Sequence, residues 1–243
     1  MMKKLIVCML FFGFVIQPVV CANPKKRTEW EATGNVVWDV QTNKKLIALT
    51  FDDGPHPKYT NEILLLLDKY HAKATFFVVG QRAEHHPELL QMMHQKGHEI
   101  ANHTYTHPNM SQINANRLQE EMKKTDEVIY TAVKIRPVLF RPPGGNFNTR
   151  VVEAAKANQH LVVMWSWTQD TRDWANPGMK KIVNKVCKNA RPGNIVLFHD
   201  FGRDRTQTIQ ALDIILNRLS KEGYQFVTVS ELLAERELHV TNE

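Results

Sequence analysis

The chain has 243 residues, 43% of them apolar and 23% charged. That is enough apolar material for one large domain, and it excludes wholesale disorder. Eleven glycines and eleven prolines exclude collagen-like and low-complexity chains, and three cysteines are too few for a disulfide framework. The balance of 31 basic against 25 acidic residues, +6 at pH 7, suits an anionic polymer as neighbour. Nucleic acid is not the expected one. The sequence has no long Lys/Arg block, no zinc-finger spacing and no basic stripe interleaved with aromatics.

Residues 1–22 read as a secretory signal peptide. Lys3 and Lys4 precede an apolar run over 5–16, and small residues end the segment at Ala22. The run is too short for a stable membrane span, with an uncleaved anchor as the alternative. Cleavage after Ala22 removes Cys8 and Cys21 and leaves Cys187 without a disulfide partner. The mature protein is then secreted, extracellular or associated with the cell wall. Residues 23–44 are polar and read as an irregular lead-in.

Strands and helices then alternate. The unbroken apolar run 46–50 predicts a buried strand, and leucines at helical spacing predict a helix over 61–70. A strand at 74–79, a helix at 87–96 stopped by Gly97, and a short strand at 99–102 follow. A long amphipathic helix is expected over 114–132, then a strand at 138–141 closed by two prolines. Next come a helix at 149–158, a strand at 161–165, and a helix at 177–190 with Pro177 near its start. A strand at 194–198, a helix at 206–222 and a strand at 225–228 precede a last short helix capped by Ser230. About seven strands, each followed by a helix and with no flexible linker between them, imply a parallel sheet in a single α/β domain over 45–236, with 237–243 as a tail. An open doubly wound sheet and a closed barrel both fit this string. The barrel is favoured because Asp52, Asp53, His103, Arg141 and His199 follow four different strands at their C-terminal ends, which a barrel gathers on one face.

Five motifs sit at those ends. Thr50-Phe51-Asp52-Asp53-Gly54 closes a buried strand with two carboxylates, costly there without a purpose, though a solvated Asp-Gly turn is the plain alternative. His103-Thr104-Tyr105-Thr106-His107 places two histidines four apart, on one side of a helical turn. With an Asp carboxylate they form a ligand set normal for an open catalytic metal site. Arg141-Pro142-Pro143-Gly144-Gly145 fixes the backbone with two prolines and lets a ligand approach at the glycines. Asp170-Thr171-Arg172-Asp173-Trp174 and Leu197-Phe198-His199-Asp200 follow two later strands. Other candidates read as structural. His56 is a turn residue, and His85 and His86, adjacent on a helix, point apart. Trp165 and Trp167 alternate, so at least one packs in the core. Arg172, Arg203 and Arg205 read as solvated loop arginines, with contact to substrate carboxylates as the alternative.

In this order and spacing, the five motifs resemble the metal-dependent polysaccharide deacetylases, carbohydrate esterase family 4 with its NodB homology domain, from about residue 45 to 235. The resemblance implies a distorted (β/α) barrel of seven to eight units. It implies Asp52 as catalytic base, with Asp53, His103 and His107 as ligands of one divalent metal. Zinc is the default for such donors, and cobalt, nickel or manganese suit the same set. It implies that Arg141 orients Asp52, that the Gly144 N–H stabilises an oxyanion, and that Asp173 holds His199, the general acid. Trp174 would wall the sugar groove and Leu197 would line an acetyl methyl pocket. One position departs from the pattern: an aromatic often follows Arg-Pro-Pro, and this chain has Gly144, which keeps the N–H and lacks a groove-lining side chain. The expected substrate is an N-acetylated glycan, peptidoglycan first, then chitooligosaccharide, then O-acetyl xylan. Two rivals are a catalytically silent glycan-binding protein on the same fold and a mononuclear iron oxygenase using two His and one carboxylate.

Overall fold

A computed structural model describes residues 27–240, with side chains described to residue 236. The expected signal segment, with Cys8 and Cys21, lies outside the described residues, as do 241–243 of the tail. The strands are β1 (Val36–Val37), β2 (Leu46–Asp52), β3 (Thr75–Val78), β4 (Glu99–Asn102), β5 (Leu139–Phe140), β6 (Leu161–Val163), β7 (Asn194–His199) and β8 (Gln225–Val227). The helices are α1 (Arg27–Ala32), α2 (Tyr59–Lys69), α3 (Gly80–His85), α4 (Pro87–Gln95), α5 (Ala115–Val133), α6 (Thr149–Ala157), α7 (Met179–Asn189), α8 (Thr206–Lys221) and α9 (Val229–Val240). No helix among the described residues is long and apolar enough to cross a membrane.

The ladder is parallel throughout and runs β1-β6-β5-β4-β3-β2-β7, with β8 paired to the start of β2. It is a barrel that does not close by a regular ladder. The gap beside β7 is bridged by single contacts: Val40 N–H to the Gly193 carbonyl at 2.9 Å, Ser166 N–H to Ile195 at 3.0 Å and Leu197 N–H to Gln169 at 3.1 Å. The distorted-barrel expectation therefore holds in that form.

Strand alternation sorts the side chains. Ile47, Leu49 and Phe51 of β2 point outward and pack with Ile63, Leu64 and Leu67 of α2 and Leu212, Ile215 and Leu216 of α8. Ala48 points inward, with Phe77, Ala101, Leu139, Val163 and Ile195 from the other strands. The same alternation turns Thr50 and Asp52 inward, and the β2–β7 register sets Asp52 directly beside His199. Two small residues, Ala48 and Ala101, leave room in this interior for one long side chain, the fully buried Arg141.

Three local expectations are corrected. The lead-in is not irregular between residues 27 and 40. It forms α1 and the edge strand β1, and it buries Trp30, Val36, Val37, Trp38 and Val40. Ser230 does not cap the last helix; its hydroxyl bonds Glu99. The cap is a reciprocal box, in which the Glu231 N–H donates to Thr228 Oγ1 at 3.1 Å and the Thr228 N–H donates to Glu231 Oε2 at 2.8 Å. The third is Arg205, which is buried, with its Nε donating to the Phe201 carbonyl at 2.9 Å, rather than solvated.

Candidate active site

A cleft of about 300 Å³ opens at the C-terminal ends of β2, β4 and β7. Asp52, Asp53, His103, His107, Gly144, Trp174, Leu197 and His199 line it. Arg141 and Asp173 lie fully buried immediately behind. The residues singled out in the sequence thus meet in one place.

The Arg141 guanidinium occupies the barrel interior, 4.1 Å above the Phe77 ring centroid. Its Nη1 donates to Asp52 Oδ1 and to Thr50 Oγ1, both at 2.7 Å. Nε donates to the Val163 carbonyl at 3.0 Å and Nη2 to the Met164 carbonyl at 2.8 Å. Four acceptors fix the guanidinium plane and, through it, the Asp52 carboxylate.

Asp53, His103 and His107 present donor atoms within 4.8 Å of one another. The two histidines are not on a helical turn. They sit on a loop after β4 in which Thr104 and His107 take φ of 66° and 57°, and Asp53 opposite takes 76°. Such left-handed values in non-glycine residues are strained and persist only when the surroundings over-determine them. Here the Glu121 carboxylate, projecting from α5, accepts from the Tyr105 N–H at 2.9 Å, the Thr106 N–H at 2.6 Å and the Thr106 hydroxyl at 3.0 Å. The donor set fits a divalent cation. His103 Nδ1 lies 2.7 Å from the Arg141 carbonyl, which only accepts, so Nδ1 carries the proton. Nε2 is then the atom His103 presents to Asp53 Oδ1, 3.4 Å away, and His107 Nε2 lies 3.1 Å from the same oxygen. Two imidazole nitrogens and a carboxylate oxygen converging on one point are donors of the type a divalent cation takes, and a carbonyl behind a ligating histidine is the usual outer support. In the metal-free protein, burial pushes the Asp53 carboxyl up, but His103 and His107, with His199 beyond, hold it well below the usual carboxylate range.

On the opposite wall, His199 Nδ1 bonds Asp173 Oδ1 at 2.7 Å, and its backbone N–H donates to Oδ2 at 3.0 Å. The Thr208 hydroxyl donates to the same Oδ2 at 3.0 Å. Burial alone would lower the imidazole pKa; the hydrogen bond and charge of Asp173, with Asp52 and Asp53, raise it to about 9. Gly144 takes φ of 62° in a short 3-10 turn, and its N–H makes no hydrogen bond to any described residue.

Sequence reasoning missed the floor of the site. Asp200 is buried, accepts from the Thr60 hydroxyl, and is pushed up to about 7 by burial and the charges of Asp53 and Asp52. A Cβ on Gly54 would come within 2.2 Å of its Oδ2. Arg82 donates to the Asp53 carbonyl. Asp200 ends the Leu197-Phe198-His199-Asp200 motif but no role attaches to it there, and no local pattern marks Arg82 or Glu121, because each acts across elements distant in sequence. Gly54→Ala is therefore expected to displace Asp200 and cost about 1–3 kcal/mol of stability by overpacking. Thermal unfolding checks this, and an unchanged Tm would show that the carboxylate has room to move.

A model of the polysaccharide deacetylase family matches residues 39–163. A peptidoglycan-N-acetylglucosamine deacetylase of Bacillus cereus is 51% identical over 85% of this chain and 97% of its own length. The peptidoglycan-N-acetylmuramic acid deacetylase PdaC of Bacillus subtilis is 39% identical over 79% of this chain, which spans only 40% of that protein. Among solved structures, the Bc1960 peptidoglycan N-acetylglucosamine deacetylase superposes with a TM-score of 0.81 at 32% identity, covering 86% of this chain and 97% of that one. Motifs, fold and overall likeness agree, and the chain belongs to the polysaccharide deacetylase family.

Proposed function

We propose that this deacetylase is a secreted, metal-dependent enzyme that hydrolyses the acetamide of N-acetylated sugars in peptidoglycan. The observation that carries the reading is that a clamped carboxylate, a clamped imidazole and a cluster of three donor atoms line one cleft. Asp52 is clamped by Arg141, His199 is clamped by Asp173, and the Asp53–His103–His107 donors line the same cleft. The 51% identity to a peptidoglycan-N-acetylglucosamine deacetylase over nearly its whole length and the basic charge balance support this polymer. The N-terminal segment 1–22, read as a secretory signal, supports export to the wall.

Asp53, His103 and His107 would hold a divalent cation, zinc by donor preference. When bound, it supplies Lewis acidity and lowers the pKa of a coordinated water to about 7. Asp52 accepts the proton of the attacking water as its oxygen bonds to the acetamide carbon. The Gly144 N–H donates to the carbonyl oxygen as negative charge grows there, and such a donor is worth about 2.7–4 kcal/mol. His199 Nε2, free because Nδ1 is held by Asp173, protonates the departing nitrogen as the C–N bond breaks. Acetate and a free amine result. Leu197 takes the acetyl methyl, and Trp174, 54% exposed at the rim, walls the sugar.

Acetate release tests the reading. The chain from Asn23, loaded with zinc, is expected to release acetate from purified peptidoglycan. Release from N-acetylglucosamine oligomers alone would replace the polymer. Release from neither, with metal bound, would favour an ester substrate or a silent glycan-binding protein.

A further inference from the structure

The cleft does not end at the reacting centre. Gly144, Gly145, Trp165 and Asp170 form a shared wall, and beyond it lies a second, larger hollow of about 700 Å³. Gly144, which carries no side chain, lines both. A Cβ there would meet only the Asn146 side chain, at 3.2 Å.

Two features of this hollow are unexplained by folding. Trp167 stands 85% exposed in it, and its indole makes no ring contact and no hydrogen bond to any described residue. Trp30 and Trp38, by contrast, are buried in the core. An exposed aromatic plane beside a catalytic cleft has the form of a stacking platform for a ligand face. The second feature is charge. Lys181 and Lys185 line the hollow from α7, four residues apart and so on one helical face. Neither ammonium has an acidic partner among the described residues, although like charges at this spacing repel. Arg172 lines the hollow too, and its one acidic neighbour among the described residues is Asp170, whose Oδ2 lies 3.8 Å from Nε.

We infer that this hollow binds the sugar next to the one being deacetylated, with Trp167 stacked on its ring and Lys181, Lys185 and Arg172 receiving a carboxylate borne on its side arm. The inference rests on the peptidoglycan reading above. In that polymer the neighbour of each N-acetylglucosamine is N-acetylmuramic acid, whose lactyl arm carries a peptide stem with free carboxylates. A chitin-type glycan stacks equally well but offers the three cations nothing. Charge-assisted contacts of this exposed kind are individually weak, so the subsite sets substrate preference and leaves the chemical step alone.

Initial rates of acetate release on two soluble substrates of equal sugar count test this: a peptide-bearing peptidoglycan tetrasaccharide and N-acetylchitotetraose. The variants are K181A/K185A and W167A, surface changes expected to leave folding intact. The lysine variant is expected to raise KM about 2–30-fold on the peptidoglycan fragment, with kcat held, and to leave the chitotetraose KM unchanged. Added NaCl should raise the wild-type KM on the fragment and barely move that of the lysine variant. W167A should raise KM on both substrates. A lysine variant that matches wild type on the fragment, or that loses equally on both substrates, overturns the subsite while leaving the peptidoglycan reading intact. A wild-type enzyme active on chitotetraose and inert on the fragment overturns both.

Discussion

Asp52→Asn is expected to lower kcat for acetate release by about 10²–10⁴, the usual worth of a positioned general base. It is also expected to lower Tm, and the two effects have different causes. Asparagine keeps the shape of the side chain but cannot take a proton from water. It also removes the acidic partner of a guanidinium that is fully buried. Arginine cannot shed its proton to escape, and an uncompensated buried charge costs about 3–5 kcal/mol. For a domain of this size that is about 6–20 °C in Tm. The remaining acceptors, Thr50 Oγ1 and the carbonyls of Val163 and Met164, soften the loss without supplying charge. A double variant separates the causes. Asp52→Leu with Arg141→Met replaces the pair by apolar groups of similar volume, which is often neutral or stabilising. It should recover much of the Tm and none of the activity. Wild-type turnover in either variant, measured on fully folded protein, would show that Asp52 is not the base.

Legibility of the fold and site from sequence follows how local each determinant is. β2 was readable because 46–50 is apolar without a break, and α5 because its amphipathic period is long and Asn114 caps it, accepting from the Arg117 N–H at 2.9 Å. β1 was not. Its two valines follow a polar stretch, and only pairing with β6, more than a hundred residues later, makes them a strand. α3 was missed because Gly-Gln-Arg-Ala-Glu-His carries almost no apolar period. The motif residues Asp52, Asp53, His103, His107, Gly144, Trp174, Leu197 and His199 line one cleft, since each is tied to a strand that could be read, and Trp165, outside the motifs, lines it with them. The motifs did not show that the two histidines sit on a strained loop. That geometry depends on Glu121, whose three hydrogen bonds cross from another helix. Nor did they show that Gly54 is needed for space beside Asp200 rather than for a turn.

Asp173→Asn is expected to move the alkaline limb of the pH–kcat profile from near 9 to about 6.5 or below, and to lower kcat at neutral pH by about 10²–10⁴. His199 is almost enclosed, and enclosure alone disfavours the imidazolium; Asp173, through its 2.7 Å hydrogen bond and its charge, reverses that and carries the pKa from 6.5 to about 9. An acid with that pKa is protonated across the neutral range, which is what the departing amine requires. An asparagine in its place offers no charge, and an amide in that position can also donate to Nδ1 and impose the wrong tautomer. The sign for stability follows from the same shift. A raised folded-state pKa contributes stability that is complete below the unfolded value of 6.5 and disappears as pH rises through 9, a total of about 3 kcal/mol. Wild type should therefore lose Tm over that window, and Asp173→Asn should show a flatter curve. The two readouts are independent: the kinetic limb reports the acid in the substrate complex, and the Tm curve reports the free protein. A limb that stays near 9 in the variant would remove His199 from the role of acid, whatever the Tm curve does.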